Sequence, residues 1–414
     1  MTVRCDRSAQ PSLVVVPFFS LDGLLSRGFT KCVTLRITEV LSRVDDVRIT
    51  SAASAMNIPR GHSVTEIGER LGVDYVLRGQ IVRVDQTLYF TQWLHEAIKG
   101  TLIFEHRVDC GLGQLEDFER DVLARVIAGV RLPLKENEID RIMVQRPRSA
   151  SAYELALRAQ VTMWRLDSRS FHLAKRLLLG ALEKDPGYAT AYAWLARYYS
   201  ILVGQGWSKD RIADSKEAMR LAERAVELDP ENAIALATAG HLSSYLHKDY
   251  ETGERLLRRA IEVSPNEPLG HQLLSATLAY TGRGREGRQS VEYALTLSPL
   301  DSQAYFFFNF AAICCYVERD YAAAIAYARR SERLNPNYST TLKVLAAALV
   351  ALGNVNEARE VAARLHRLEP SYTAEVARRT LPFEDPLVRD QVLRQLRTAG
   401  CFDTRVRRRR TAGV

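Results

Sequence analysis

The sequence contains no GxxxxGK[ST], no HExxH and no GxSxG. It therefore offers no phosphate-cradling loop, no zinc-hydrolase helix and no nucleophile elbow. Cysteine is sparse: Cys5, Cys32, Cys110, Cys314, Cys315 and Cys401 are scattered, without CxxC spacing or histidines at ligand intervals. Neither a disulfide framework nor a zinc site is supported by that pattern, and a reducing cytoplasm fits it best. The eight histidines stand apart, so packing or surface roles are expected of them rather than metal binding or general-base chemistry. No run approaches the ~20 apolar residues of a membrane helix, and the short stretch from Leu13 to Phe19 is too brief for a signal segment. The expectation is a cytoplasmic chain without membrane insertion, catalytic residues, cofactor or metal.

What is present is a well-mixed, foldable composition. The chain has 414 residues and is 47% hydrophobic, enough for two or three buried cores. The net charge of +8 suggests nucleic acid until it is located, because Arg405, Arg407, Arg408, Arg409 and Arg410 hold five of those charges. The remainder is nearly balanced.

A ladder of prolines organises the second half. Lys184-Asp185-Pro186, Leu228-Asp229-Pro230, Val263-Ser264-Pro265, Leu297-Ser298-Pro299, Leu334-Asn335-Pro336 and Leu368-Glu369-Pro370 each close an Ala-rich amphipathic segment. Most intervals lie near 34 residues, the period of tetratricopeptide helix pairs. Within the register, Tyr192, Leu195, Ala196 and Tyr199 follow the order expected of a first helix, and Ala218, Ala222 and Ala225 that of a second. Small residues at Ala196, Ala218 and Ala358 permit helix axes to approach to ~8–10 Å. Gly282 and Gly353 fall where the inter-helix turn needs positive φ. Gly282 to Gly287 matches GxGxxG, but it follows a helix, so a repeat turn is the reading. The first interval is ten residues too long, and the surplus, Leu202 to Ile212, is assigned to a longer turn. Beyond Pro370, Tyr372 to Thr380 and Val388 to Ala399 are assigned to a terminal cap.

The first half alternates differently. A strand over 13–19, a helix over 30–43, a strand over 47–51, a helix over 64–71, a hairpin from 73–84 and 87–96 about Asp85-Gln86, a strand over 101–108 and a helix over 115–130 predict one mixed sheet with packed helices. The fold class expected is thus an α+β N-terminal domain followed by an all-α tetratricopeptide-repeat solenoid. The expected boundaries are a leader over 1–11, the α/β domain over 12–133, a linker over 134–150, about six repeats over 151–370, capping helices over 371–402 and a basic disordered tail over 403–414.

The run Leu71-Gly72-Val73-Asp74-Tyr75-Val76-Leu77-Arg78-Gly79, with Val14-Val15-Val16-Pro17-Phe18 and Leu41-Ser42 before it, resembles the TolB-amino-terminus-like domain. The ending Leu381-Pro382-Phe383 with Leu396-Arg397-Thr398-Ala399-Gly400 is similar to the ending of the same family. The resemblance spans about residues 12 to 402. It implies bacterial regulators in which this domain precedes tetratricopeptide repeats behind a class III adenylate cyclase or a winged-helix output domain. Eleven residues precede the first strand here, where such a domain needs ~100 or more, so the expectation is a chain lacking that output. Ile103-Phe104 also replaces a tryptophan frequent in the family.

The working surface is expected on the concave face of the first helices. Projecting the register inward selects Arg197, Thr238, Tyr245, Gln272, Tyr280, Asn309, Tyr316 and Lys343, together with Thr190. These aromatic and hydrogen-bonding groups suit an extended or helical peptide. The function expected is a non-enzymatic protein-interaction adaptor or regulatory scaffold in bacterial signalling or transcription control. The alternatives are a DNA-linked regulator using the arginine tail, or a nucleotide-responsive remnant of an adenylate-cyclase-type regulator. The oligomeric state is left open.

Overall fold

The computed structural model describes residues 11–20, 27–44, 47–59, 61–85, 87–111, 150–164, 166–301 and 303–402. The predicted helix over 115–130, the leader over 1–11 and the linker over 134–150 except for their residues 11 and 150, and the arginine tail lie outside the described residues. Two compact units are present. The first comprises Met1–Leu157 with Ile261–Pro268 and Leu295–Ser302, and the second comprises Arg158–Ala260, Leu269–Ala294 and Gln303–Val414.

The first unit is built on one mixed sheet. Its strands are β1 (Ser12–Val15), β2 (Phe19–Ser20), β3 (Arg48–Thr50), β4 (Tyr75–Val84), β5 (Thr87–Glu96) and β6 (Leu102–Gly111). The order is β3-β1-β4-β5-β6, with β2 also pairing β4. Pairing is parallel among β3, β1 and β4 and antiparallel from β4 onward. Because successive strand residues point to opposite faces, Leu13 and Val15 pack with Ile37 and Leu41 of helix α1 (Arg27–Leu41). Val14 and Val16 pack on the other face with Ala55 of α2 (Ala52–Met56) and with Ile67 and Leu71 of α3 (Val64–Leu71). Both faces of β1 are therefore dry, which explains its unbroken apolar run.

The sheet differs from its sequence reading in two places. The single strand expected over 13–19 is split into β1 and β2 at Val16-Pro17-Phe18, because proline cannot donate to a ladder. The Phe18 amide donates instead to Thr34 Oγ1 at 2.9 Å. The Phe18 ring occupies the space above Gly79, where a Cβ would lie 1.9 Å from it. The short helix α2 is absent from the sequence reading. By contrast, α3 keeps its predicted bounds. Ser63 and Glu66 form a reciprocal capping box at its start, and Gly72 closes it at φ 64°.

Two proline-ended turns complete this unit. Asn266 donates through Nδ2 to Val44 O at 2.9 Å and Val47 O at 3.0 Å, and its Oδ1 accepts from Ile49 N at 3.1 Å. Ser298 Oγ shares a short hydrogen bond with Ser51 Oγ, while Ser54 Oγ accepts from Leu300 N at 2.8 Å. These bonds satisfy the Ile49 amide within the edge strand β3, the carbonyls of Val44 and Val47 before it and the amide of Leu300.

Among the described residues, six successive helix pairs follow: α4 (Ala150–Met163) and α5 (Ser168–Lys184), α6 (Ala189–Gly204) and α7 (Arg211–Leu228), α8 (Ala233–Leu242) and α9 (Tyr250–Val263), α10 (Pro268–Tyr280) and α11 (Gly284–Leu297), α12 (Ala304–Val317) and α13 (Tyr321–Leu334), and α14 (Ser339–Ala351) and α15 (Val355–Leu368). Each ladder proline stands two residues beyond the second helix of its pair. Two terminal helices, α16 (Ala374–Thr380) and α17 (Pro386–Thr398), come last. Ala196, Ala218 and Ala358 are fully buried. In the third pair the backbones meet directly, since a Cβ on Gly253 would lie 2.8 Å from Gly240 O. The GxGxxG match is a turn and a packing seam: Gly282 has φ 83°, and a Cβ on Gly287 would meet Ser275 O at 2.7 Å.

The surplus in the second pair is only partly a turn. Helix α6 continues to Gly204 and Asp210 caps α7, so six residues form the connection and the rest lengthen the helices. That connection reaches far along the second unit. Gln205 donates to Asn337 O at 3.1 Å and accepts from Ser339 N at 3.2 Å. Nearby, Trp164 meets Phe306 edge to face at 5.2 Å. The early pairs thus touch the late ones. Among the described residues, no helix is long and apolar enough to cross a membrane.

Candidate functional site

The inner helices of the second unit line two adjoining, half-open cavities of about 100 Å³ and about 60 Å³. Gly204, Tyr245, Tyr280 and Thr340 belong to the walls of both. Repeat geometry explains the convergence: helices stacked side by side bring one register position per pair to the same surface. Tyr245 lies in a π-helical turn over Ser243–His247 that extends α8, ended by Lys248 at φ 59°.

The larger cavity is polar on one side and apolar on the other. Lys343 Nζ pairs with Glu369 at 2.6 Å and lies 4.4 Å above the Tyr372 ring. Arg211 donates to Val203 O at 3.3 Å. The opposite wall comes from the chain's own end, chiefly Leu381, Pro382, Phe383 and Leu396.

The connection between α16 and α17 is held like an extended peptide. Tyr250 Oη donates to Pro382 O at 2.7 Å, and Glu384 N donates to Tyr280 O at 2.8 Å. Arg389 donates to Phe383 O at 3.1 Å, and the Phe383 ring stands edge-on to Tyr280 at 6.2 Å. Tyr316 Oη donates to Gln395 of α17. Burial raises the pKa of both Tyr280 and Tyr316, so both phenols stay neutral.

The smaller cavity is cationic and aromatic. Arg197 is buried with its guanidinium carbon 5.3 Å from the ring centroids of both Trp164 and Trp194. Such contacts stabilise a charge taken from water. His241 stacks on Tyr245 at 5.3 Å with ring planes 6° apart. Burial, and then the nearby Arg197 charge, push its pKa down to about 3. Its ring is therefore neutral at physiological pH, and its buried Nδ1 has no hydrogen-bond partner.

Five of the eight groove residues selected from the sequence reach this space. Arg197 lines the smaller cavity, Tyr316 and Lys343 the larger, and Tyr245 and Tyr280 both. Thr238, Gln272 and Asn309 line neither and are buried between helices. Asn309 Oδ1 accepts from Thr341 at 3.3 Å. Thr190 accepts from Asn232 at 2.9 Å, joining adjacent pairs. Sequence reasoning missed His241, Arg211, Glu369 and Phe383. His241 was accessible in principle, standing four residues before Tyr245 on one helical face. Among the described residues, no group of three or more His, Cys, Asp or Glu could hold a metal ion.

No family model matches the chain. Among curated proteins, it is 26% identical over 236 residues to "Putative adenylate cyclase 3" of Rhizobium meliloti (strain 1021), a match covering 56% of this chain and 40% of that protein. The chain thus spans less than half of that relative's length. Among solved structures, it is similar to the type IV pilus biogenesis factor PilW (19% identity, 51% of this chain and 89% of that one, TM-score 0.38). It is also similar to a thermophilic TPR protein of Thermus thermophilus (17%, 48% and 99%, 0.37) and to human IFIT1 (15%, 70% and 65%, 0.43).

Proposed function

We propose that the chain is a non-enzymatic adaptor that holds an extended segment of a partner protein against the inner helices of its second unit. The observation carrying this reading is the chain's own Leu381-Pro382-Phe383 segment. Its Pro382 carbonyl accepts from Tyr250 Oη and its Phe383 carbonyl from Arg389, while the Phe383 ring stands edge-on to Tyr280. Backbone hydrogen bonds supply affinity in such recognition and a side-chain pocket supplies selectivity. The surface therefore already has the chemistry of a site for an apolar-proline-aromatic sequence.

A labelled peptide copying residues 378–385 tests the reading. It should bind the Phe383→Ala protein, in which the internal occupant is weakened, with Kd below ~1 mM. Binding should vanish when Tyr280→Ala is added. Failure to bind Phe383→Ala at all would remove the peptide-site reading.

The regulatory setting is supported by the TolB-like resemblance and by the relative named an adenylate cyclase. The same relative favours one second reading, a nucleotide-responsive regulator of the cyclase type. Calorimetric titration of the intact chain with ATP, GTP and cyclic AMP separates the two, since a pure adaptor releases no binding heat with any of them.

A further inference from the structure

We infer that the larger cavity of the second unit binds a small, uncharged aromatic molecule carrying one hydroxyl group, a ligand class separate from the partner peptide. Hydrogen-bonding capacity is the first observation. Tyr280 is 4% exposed and Tyr372 is 2% exposed, and both stand in the cavity wall. Their contacts run through rings and main chain. Among the described residues, neither phenolic hydroxyl has a hydrogen-bond partner, although a buried tyrosine hydroxyl normally finds one. Burial raises both pKa values, so both groups stay protonated. Each offers one donor and spare acceptor capacity to a molecule in the cavity.

Charge is the second. Lys343 is paired with Glu369 at 2.6 Å, and Arg211 donates to Val203 O at 3.3 Å. An ion entering here displaces one of these contacts and sheds its water shell at a cost, whereas an uncharged ligand leaves them intact.

Shape is the third. Ile313, Val344, Val376 and Val392 form an apolar part of the wall. The rings of Tyr245 and Phe383 flank Tyr280, with centroids 6.4 Å and 6.2 Å away. Tilted or edge-on packing at ~4.5–7 Å is favourable between rings, so a planar ring is preferred over a branched aliphatic chain. A half-open space of about 100 Å³ suits a single ring, since a closed cavity of ~150 Å³ holds a whole benzene molecule.

The intact chain is titrated against 4-fluorophenol and 4-fluorotoluene, which differ by a hydroxyl against a methyl group, with binding read from the fluorine NMR signal of each ligand. Saturable binding of 4-fluorophenol with Kd below ~5 mM is expected. Tyr280→Phe combined with Tyr372→Phe keeps both rings and removes both hydroxyls. Affinity for 4-fluorophenol should fall at least fivefold in that variant, and affinity for 4-fluorotoluene should not fall. Val344→Phe fills the cavity from a half-buried position and should abolish binding of both, which keeps the site testable if the double variant unfolds. The site is overturned by absence of saturable 4-fluorophenol binding, by a double variant that weakens 4-fluorophenol no more than 4-fluorotoluene, by binding retained in Val344→Phe, or by tighter binding of 4-fluorobenzoate than of 4-fluorophenol. The peptide measurement on Phe383→Ala uses a different ligand and readout, so either proposal can fail alone.

Discussion

Acid should destabilise the second unit through one residue, His241. Its pKa falls from 6.5 to about 3 on folding, because burial and Arg197 both penalise the charged ring. Below pH 6.5 the unfolded chain therefore binds a proton that the folded chain refuses. Stability rises with pH wherever the unfolded state holds more protons. The His241 contribution is thus fully present above pH 6.5 and is lost progressively as pH falls toward 3. Each unit of pH in that window removes roughly 1.4 kcal/mol, so about 3 kcal/mol is gone by pH 4.5. The assay is urea unfolding of the wild type and of His241→Phe between pH 7.5 and 4.5. Phenylalanine keeps the contact with Tyr245 and cannot take up a proton. The difference in unfolding free energy should shift toward the variant by about 3 kcal/mol across this range. Parallel curves would show that His241 is solvated in the folded chain, and would refute the burial argument.

Three further outcomes follow from packing and hydrogen bonding. Gly253→Ala places a methyl group 2.8 Å from Gly240 O; the overlap should cost ~1–3 kcal/mol and lower the melting temperature. Asn266→Ala strands the carbonyls of Val44 and Val47 and the amide of Ile49; a loss of ~2–4 kcal/mol is expected in chemical denaturation, with hydrogen exchange rising first around β3. Ser63→Ala removes half of the capping box on α3 and should cost ~1 kcal/mol, measurable as a reduced urea midpoint with unchanged slope.

Much of the repeat architecture was legible because it is local. A proline two residues past each second helix, alanines where helices cross and glycines at positive φ are constraints met within one pair. The first unit was less legible at Pro17, where one apolar run conceals a change of strand, and at α2, which is too short to show a period. Of the groove residues, Arg197, Tyr245, Tyr280, Tyr316 and Lys343 line the two cavities. Thr238 and Asn309 occupy similar register positions yet are covered by neighbouring helices, which periodicity does not reveal. Phe383 was invisible for a different reason. Its position depends on the terminal helices folding back on the inner surface, a contact between residues about a hundred positions apart, as between Tyr280 and Phe383.

Gln205 has a further consequence for mechanics. In an ordinary stacked array each repeat answers only to its neighbours, and the array can melt from an end like a zipper. Here a side chain from the second pair grips the sixth, and Trp164 leans on Phe306. Pulling one end open loosens the other, so the array should rupture as a single latch rather than peel turn by turn.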